Sequence, residues 1–323
     1  MKKIIALIVL ITAMSACYED YILDYEYDGI YLPYQLDVRT FVVGEGMRIK
    51  VGAALGGVRD NNRDRAVNFQ IDNSLINPAT LESMKGAANY IKNSVDAVTE
   101  LKTLPANYYS LSDNSKIVIK KGDHSGTITL TPDSARFLTD MATLNATYAL
   151  PIRITSADAD TVLKSKDYAV IGLKYENMLF GNYWHGGSAV VKRPGKTDTI
   201  FTYYTTIPMV ESKVWKLYTR SPKTLAANGF LDQTTAKDEM ILMLDGVNIS
   251  IGIATGSTYA VSQNGDCTFN RAKLLQKRKI FLKYKYLNTA NGFTYHATDT
   301  LTFRNRIRDG INEWQDENPN NYK

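Results

Sequence analysis

A mainly β fold in two units is predicted by three observations. Short segments alternating apolar with polar residues recur along the chain, glycine- and aspartate-bearing turns separate them, and only one segment carries a helical period. At 323 residues, 44% of them hydrophobic, the chain can bury two cores of ordinary size. Its 21 tyrosines, beside 10 phenylalanines and 3 tryptophans, suit half-buried strands, where a ring packs while its hydroxyl reaches water.

The N-terminus reads as an address rather than a fold element. Lys2-Lys3 precede an apolar run from Ile4 to Met14, followed by Ser15-Ala16-Cys17. The run is about half of what a spanning helix needs, and small residues before the cysteine are what signal cleavage requires. Residues 1–16 are therefore expected to be a lipoprotein signal peptide and Cys17 the lipidation site. Several acyl chains there would bury methylenes at roughly 0.8 kcal/mol each, enough for stable anchoring. Losing Lys2 and Lys3 lowers the formal net charge from +5 to +3, too mild a bias to predict nucleic acid as a partner. Once Cys17 is modified only Cys267 remains, so stability must come from packing rather than a disulfide. Residues 17–28 form an acidic, tyrosine-rich tether.

Residues 29–176 are expected to form an immunoglobulin-like β-sandwich domain. Met47 to Val51 and Ala66 to Ile71 alternate across the polar turn Arg59 to Arg65, and Lys116 to Ile119 and Thr127 to Thr131 flank Lys121 to Gly126. Tyr148 to Thr155 and Tyr168 to Tyr175 supply two further strands, a spacing that suits a sandwich. Leu81, Met84, Ala88, Ile91, Val95, Val98 and Leu101 recur at helical steps across 80–102, which predicts one amphipathic helix inserted at an end of the sandwich.

Residues 177–323 are expected to be an antiparallel lipocalin-like barrel or meander, with a second sandwich as the alternative. Thr199 to Ile207, Lys213 to Tyr218, Met240 to Leu244 and Val247 to Ile253 read as strands, the last two joined by the hairpin signal Asp245-Gly246. Ile280, Leu282, Tyr284 and Tyr286 share one face of the next strand and Lys279, Lys283 and Lys285 the other. Phe293 to Phe303 is its hairpin partner, and the polar tail after Arg308 is expected to be extended. Closure into a barrel would satisfy the strand edges.

Three stretches carry a family resemblance. They are Leu55-Gly56-Gly57-Val58-Arg59-Asp60 with the polar turn after it, Leu104-Pro105-Ala106-Asn107-Tyr108-Tyr109 with Leu150 to Asp158, and Gly181-Asn182-Tyr183-Trp184-His185-Gly186 with Asp299 to Arg306. The chain resembles Bacteroidetes surface lipoproteins that pair an N-terminal immunoglobulin-like domain of unknown function with a C-terminal calycin-like or sandwich domain. Glu19-Asp20 after Cys17 is similar to the surface-export signal of such lipoproteins. The resemblance implies the outer face of the outer membrane, a glycan as ligand, and an outer-membrane transporter complex as partner in polysaccharide utilisation. It implies no catalytic residue.

The residues themselves point to binding rather than catalysis. Glycoside hydrolysis needs two converging carboxyl groups, whereas Asp and Glu here fall mostly in turns and the tether. His124, His185 and His296 lack metal-ligand spacing, and neither a Gly-x-Ser-x-Gly elbow nor a phosphate-cradling loop occurs, so no metal, cofactor or enzyme activity is expected. Sugar binding needs flat aromatic faces beside hydrogen-bonding groups. Tyr183, Trp184 and His185, standing clear on Gly186-Gly187, with Trp215 and Tyr218, are the candidate ligand-binding residues, to which Tyr203-Tyr204 could contribute. The opposing reading makes Trp184 a plug closing a barrel end and Trp215 a core residue. Arg304, Arg306 and Arg308 at alternate positions predict a basic stripe on one side of a strand, which would grip carboxylates or guard an edge. The alternative to a glycan-binding role is a fimbrillin-like adhesion subunit assembled by strand donation.

Overall fold

The structure, a computed structural model, describes residues 27–203, 212–231, 233–234, 239–255 and 260–315. Cys17, the leader, most of the tether and Tyr204 lie outside the described residues. Strands make up 53% and helix 13%, so the fold is mainly β as expected.

The first unit is a sandwich. Its strands in chain order are β1 (Gly29–Tyr31), β2 (Leu36–Val43), β3 (Ile49–Gly56), β4 (Arg65–Ile71), β5 (Lys102–Thr103), β6 (Tyr109–Leu111), β7 (Lys116–Ile119), β8 (Ser125–Pro132), β9 (Tyr148–Ala157), β10 (Thr161–Val162) and β11 (Tyr168–Asn177). One sheet runs β10-β1-β3-β8-β6, the other β2-β11-β9-β4-β7 with β5 on β9. Val51, Leu55, Ile128 and Leu130 of the first sheet meet Val67, Ile117, Leu150 and Ile152 of the second, the apolar halves of their alternating strands.

The helical insertion differs from expectation in two ways. It is two helices, α1 (Pro78–Lys85) and α2 (Asn89–Val95), because Gly86, a poor helix former, caps the first. Ala88, expected on the apolar stripe, is exposed, while Leu81, Met84, Ile91, Val95, Val98 and Leu101 are buried. The pair also covers a sheet face rather than an end. Val38, Ala149 and Val170 point outward between the core residues of β2, β9 and β11, and the helices bury them as a third layer.

The second unit is a closed barrel. Its strands are β12 (Gly181–Lys192), β13 (Thr199–Tyr203), β14 (Val214–Ser221), β15 (Thr224–Ala227), β16 (Gly229–Phe230), β17 (Gln233–Thr234), β18 (Met240–Asp245), β19 (Asn248–Ile253), β20 (Ala260–Gln263), β21 (Cys267–Phe269), β22 (Lys279–Asn288), β23 (Phe293–Arg308) and β24 (Ile311–Glu313). Antiparallel pairing runs β12-β14-β15-β18-β19-β21-β22-β23, and β23 returns to pair with β12, so the ring closes and the barrel alternative is the one formed. Ile280, Leu282 and Tyr284 face its interior, and Asp245-Gly246 turns the β18–β19 hairpin.

Two expectations for the C-terminal stretch are corrected. Among its described residues the tail does not run free: it turns at Asp309-Gly310, and β24 pairs back on β23. The three arginines do not share a face either. Phe303 pairs with Tyr183 and Asn305 with Asn182, so Arg304 is an extra residue in a β-bulge that flips the alternation after it. Arg304 is exposed; Arg306 is buried.

Arg306 joins the two units. Glu45 stands in the turn after β2 between Gly44 and Gly46, both at positive φ, and enters the base of the barrel. Arg306 grips it with two bonds, Nη1 to Oε1 at 2.9 Å and Nη2 to Oε2 at 2.8 Å, and Arg278 Nη1 reaches Oε1 at 2.7 Å. The Arg306 Nε donates to Glu313 of β24 at 2.5 Å. Burial alone would raise the Glu45 carboxyl; the two guanidinium groups outweigh it and hold the carboxyl below its ordinary range.

Candidate functional site

Strand alternation divides the five candidate residues into two sets. Tyr183, His185 and Trp215 point into the barrel and have no exposed surface, whereas Trp184 and Tyr218 stand on its outer wall. The five therefore do not form one platform, and Tyr183 rather than Trp184 is the ring inside the barrel, donating to the Leu179 carbonyl at 3.1 Å. Burial pushes the Tyr183 hydroxyl well above its ordinary pKa.

Inside the barrel His185 belongs to a polar cluster absent from the sequence expectations. The Asp299 carboxylate meets His185 Nε2 at 2.8 Å and accepts from the Tyr284 hydroxyl at 2.7 Å and from Tyr203. Tyr284 in turn accepts the Leu231 N–H at 2.5 Å. Burial and the Asp299 charge push the Tyr284 hydroxyl well up, so it stays a donor. Trp215 stacks on the imidazole at 3.9 Å and 11°. His185 Nδ1 and Trp215 Nε1 have no hydrogen-bond partner among the described residues. Gly187 lies opposite Asp299 in the β12–β23 ladder, and a Cβ there would stand 2.3 Å from the Asp299 carboxylate. The glycine thus admits the carboxylate rather than lifting a platform. This cluster fastens β12, β13, β22 and β23 to one another from within.

The outer wall opens on a cleft of about 730 Å³ between barrel and sandwich. From the sandwich come Tyr90 and Asn93 of the α2 helix, Asn145, Lys174 and Glu176; from the barrel come Asn182, Lys216, Tyr218, Thr219, Arg220 and Asp309. Its floor is fixed: Lys174 pairs with Glu176 at 2.8 Å, and Thr219 donates to the same Glu176. The Tyr90 hydroxyl donates to Asp37 at 2.8 Å, and burial with that carboxylate pushes the phenol well up. Asp309 accepts the Thr40 N–H at 3.3 Å, and burial raises its carboxyl.

Of the expected residues only Tyr218 lines this cleft, with Lys216 Nζ over its ring at 4.6 Å. Two residues along β12 from Asn182, Trp184 carries Arg304 at 4.6 Å in the same manner. Sequence reading missed Asn182 and Lys216, although the alternation of Lys216, Leu217 and Tyr218 was available. It also missed Asn93, Asn145, Glu176 and Asp309, which meet only through the tertiary fold. Among the described residues no group of three His, Cys, Asp or Glu side chains is placed to hold a metal ion.

The fold has a solved counterpart of unknown function. A family model described as "-like, N-terminal domain" matches residues 24–161. A Bacteroides ovatus protein of unknown function, solved by structural genomics, is 18% identical with a TM-score of 0.64, over 90% of this chain and 98% of its own, and so shares the fold. A second such Bacteroides ovatus protein, 13% identical, has a TM-score of 0.44 over 90% of this chain and 100% of its own. A multidomain protein including DUF1735 from Bacteroides ovatus, also 13% identical, has a TM-score of 0.43 with the same coverage. No curated protein matches the chain.

Proposed function

We propose that the protein is a non-catalytic lipoprotein, anchored through Cys17 on the outer face of the outer membrane, that holds a glycan beside an outer-membrane transporter complex. The observation that carries the glycan reading is the cleft. An exposed tyrosine ring and the side chains of Asn182, Asn93 and Asn145 line one concavity, which suits the apolar face and the hydroxyls of a sugar. A binding rather than hydrolytic role is supported by how the cleft carboxylates are engaged. Glu176 is held by Lys174 and Thr219, which leaves Asp309, one oxygen on the Thr40 N–H and the other buried without a partner among the described residues, as a lone carboxyl in the cleft where hydrolysis needs a pair. The leader sequence supports the anchor.

Affinity electrophoresis of the purified protein against a panel of polysaccharides tests the reading. Retardation by at least one of them, lost in Tyr218→Ala while the circular dichroism spectrum is kept, is the expected result. Retardation that ignores this substitution would remove the cleft as the site, and reducing sugar released from the retarding polysaccharide would make the protein an enzyme. For the address, Cys17→Ala should move the protein from the membrane to the soluble fraction, and whole-cell protease treatment should remove the wild-type chain.

A further inference from the structure

We infer that the ligand is an acidic glycan, carrying carboxylate or sulfate groups, bound along the outer wall of the barrel from the cleft to Trp184. This rests on the glycan reading above and narrows it.

Two aromatic rings on this wall are each covered by a cation: Tyr218 by Lys216 and Trp184 by Arg304, both at 4.6 Å. Neither cation has a carboxylate partner among the described residues. Their neighbours do: Lys174 is paired with Glu176, Arg220 with Glu239, and Arg308 with Glu313. Lys216 and Arg304 therefore keep an uncompensated charge directly over an aromatic ring, which sets them apart from the outward Lys279, Lys283 and Lys285 of β22.

The arrangement is continuous. Lys216 lies directly opposite Asn182 in the β12–β14 ladder, and Val214 opposite Trp184, so Trp184 and Tyr218 are four residues apart along β14. That is about 13 Å on one face, longer than a single sugar ring, which calls for a chain. Asn182 lies between the two pairs, its amide donating to Asn305 at 3.1 Å. A neutral sugar would have to displace each cation to reach the ring beneath. An anionic one gains the cation as a partner already placed over the stacking surface, with a guanidinium fork at Arg304 suited to carboxylate or sulfate.

Full-length protein extracted in detergent should be run in gels containing polygalacturonate, dextran sulfate or neutral dextran, with polyglutamate as a soluble competitor. The expected result is retardation by one or both acidic glycans and not by dextran, weakened by added salt and by about tenfold in Kd in the Lys216→Gln/Arg304→Gln double variant. Trp184→Ala/Tyr218→Ala should weaken it as well, and polyglutamate should compete poorly. Retardation by dextran with none by the acidic glycans would overturn the acidic preference and leave glycan binding standing. Acidic retardation unchanged in the double variant would overturn this wall as the site. Polyglutamate binding as well as the acidic glycans, with the aromatic variant intact, would reduce the wall to a charge patch for acidic peptide and overturn both readings.

Discussion

Glu45 shows how much one side chain can carry. Its carboxylate is the shared partner of two buried guanidinium groups, so Glu45→Gln leaves both undercompensated, and breaking a buried pair in this way costs about 3–5 kcal/mol. The unfolding free energy in urea should fall by that order. The deficit should also depend on pH. Folding holds this carboxyl below its ordinary 4.5, so between the two values the unfolded chain binds more protons than the folded one. The contribution is complete above about pH 4.5 and is lost as pH falls through the folded value. Wild-type and Glu45→Gln urea midpoints should therefore converge as pH falls below about 4.5; parallel curves would mean the carboxylate is not the source. Gly187 makes the same point by close approach. Gly187→Ala would place a methyl group against the Asp299 carboxylate and the Thr298 carbonyl. Forcing it in should cost about 1–3 kcal/mol and alter the fluorescence of Trp215, which stacks on the His185 ring of that cluster. An unchanged Tm and spectrum would show that the β12–β23 ladder absorbs the methyl.

At the scale of elements, local chemistry sets the boundaries. Asn77 caps the first helix, its side-chain oxygen accepting the Thr80 N–H at 3.0 Å with Pro78 at the first helical position. Asn77→Ala should lower stability by about 1 kcal/mol, and amide exchange should quicken first in residues 78–85; exchange unchanged there would show that packing of Leu81 and Met84 holds the helix without its cap. Most strands were legible because period-two alternation survives wherever one face is wet, as in β4, β7 and β22. What escaped was set by partners distant in sequence. Strand β2 has residues buried on both faces and pairs parallel with β11, so its pattern does not alternate cleanly. The helix break at Gly86 was hidden because Ile91 and Val95 continue the apolar period across it. The Arg304 bulge is a matter of register, and register belongs to two strands at once. Adjacency on Gly186-Gly187 made Tyr183, Trp184 and His185 look like one motif, and strand alternation is what separates them in the fold.

At the scale of the molecule, the two units meet through polar groups. Glu45 enters the barrel base, the Asn177 amide donates to the Pro222 carbonyl at 2.7 Å while its oxygen accepts the Leu179 N–H at 2.9 Å, and the Thr40 N–H donates to Asp309 at 3.3 Å. Each unit has its own apolar core, and Val42 of β2 reaches into that of the barrel, so the coupling rests on these polar contacts together with that one apolar insertion. Buried ionic contacts tie geometry more tightly than they add stability, because desolvation offsets much of their attraction. The wild-type protein should consequently unfold in one calorimetric transition, its two cores linked through the joint. Glu45→Gln should split that transition in two, since each core remains while the strongest tie is lost. The cleft lies between the same two units, so the variant should also bind glycan more weakly although Glu45 does not line it. A single transition merely shifted to lower temperature, with binding unchanged, would place the coupling in the Asn177 and Thr40 contacts instead and leave Glu45 a local stabiliser of the barrel base.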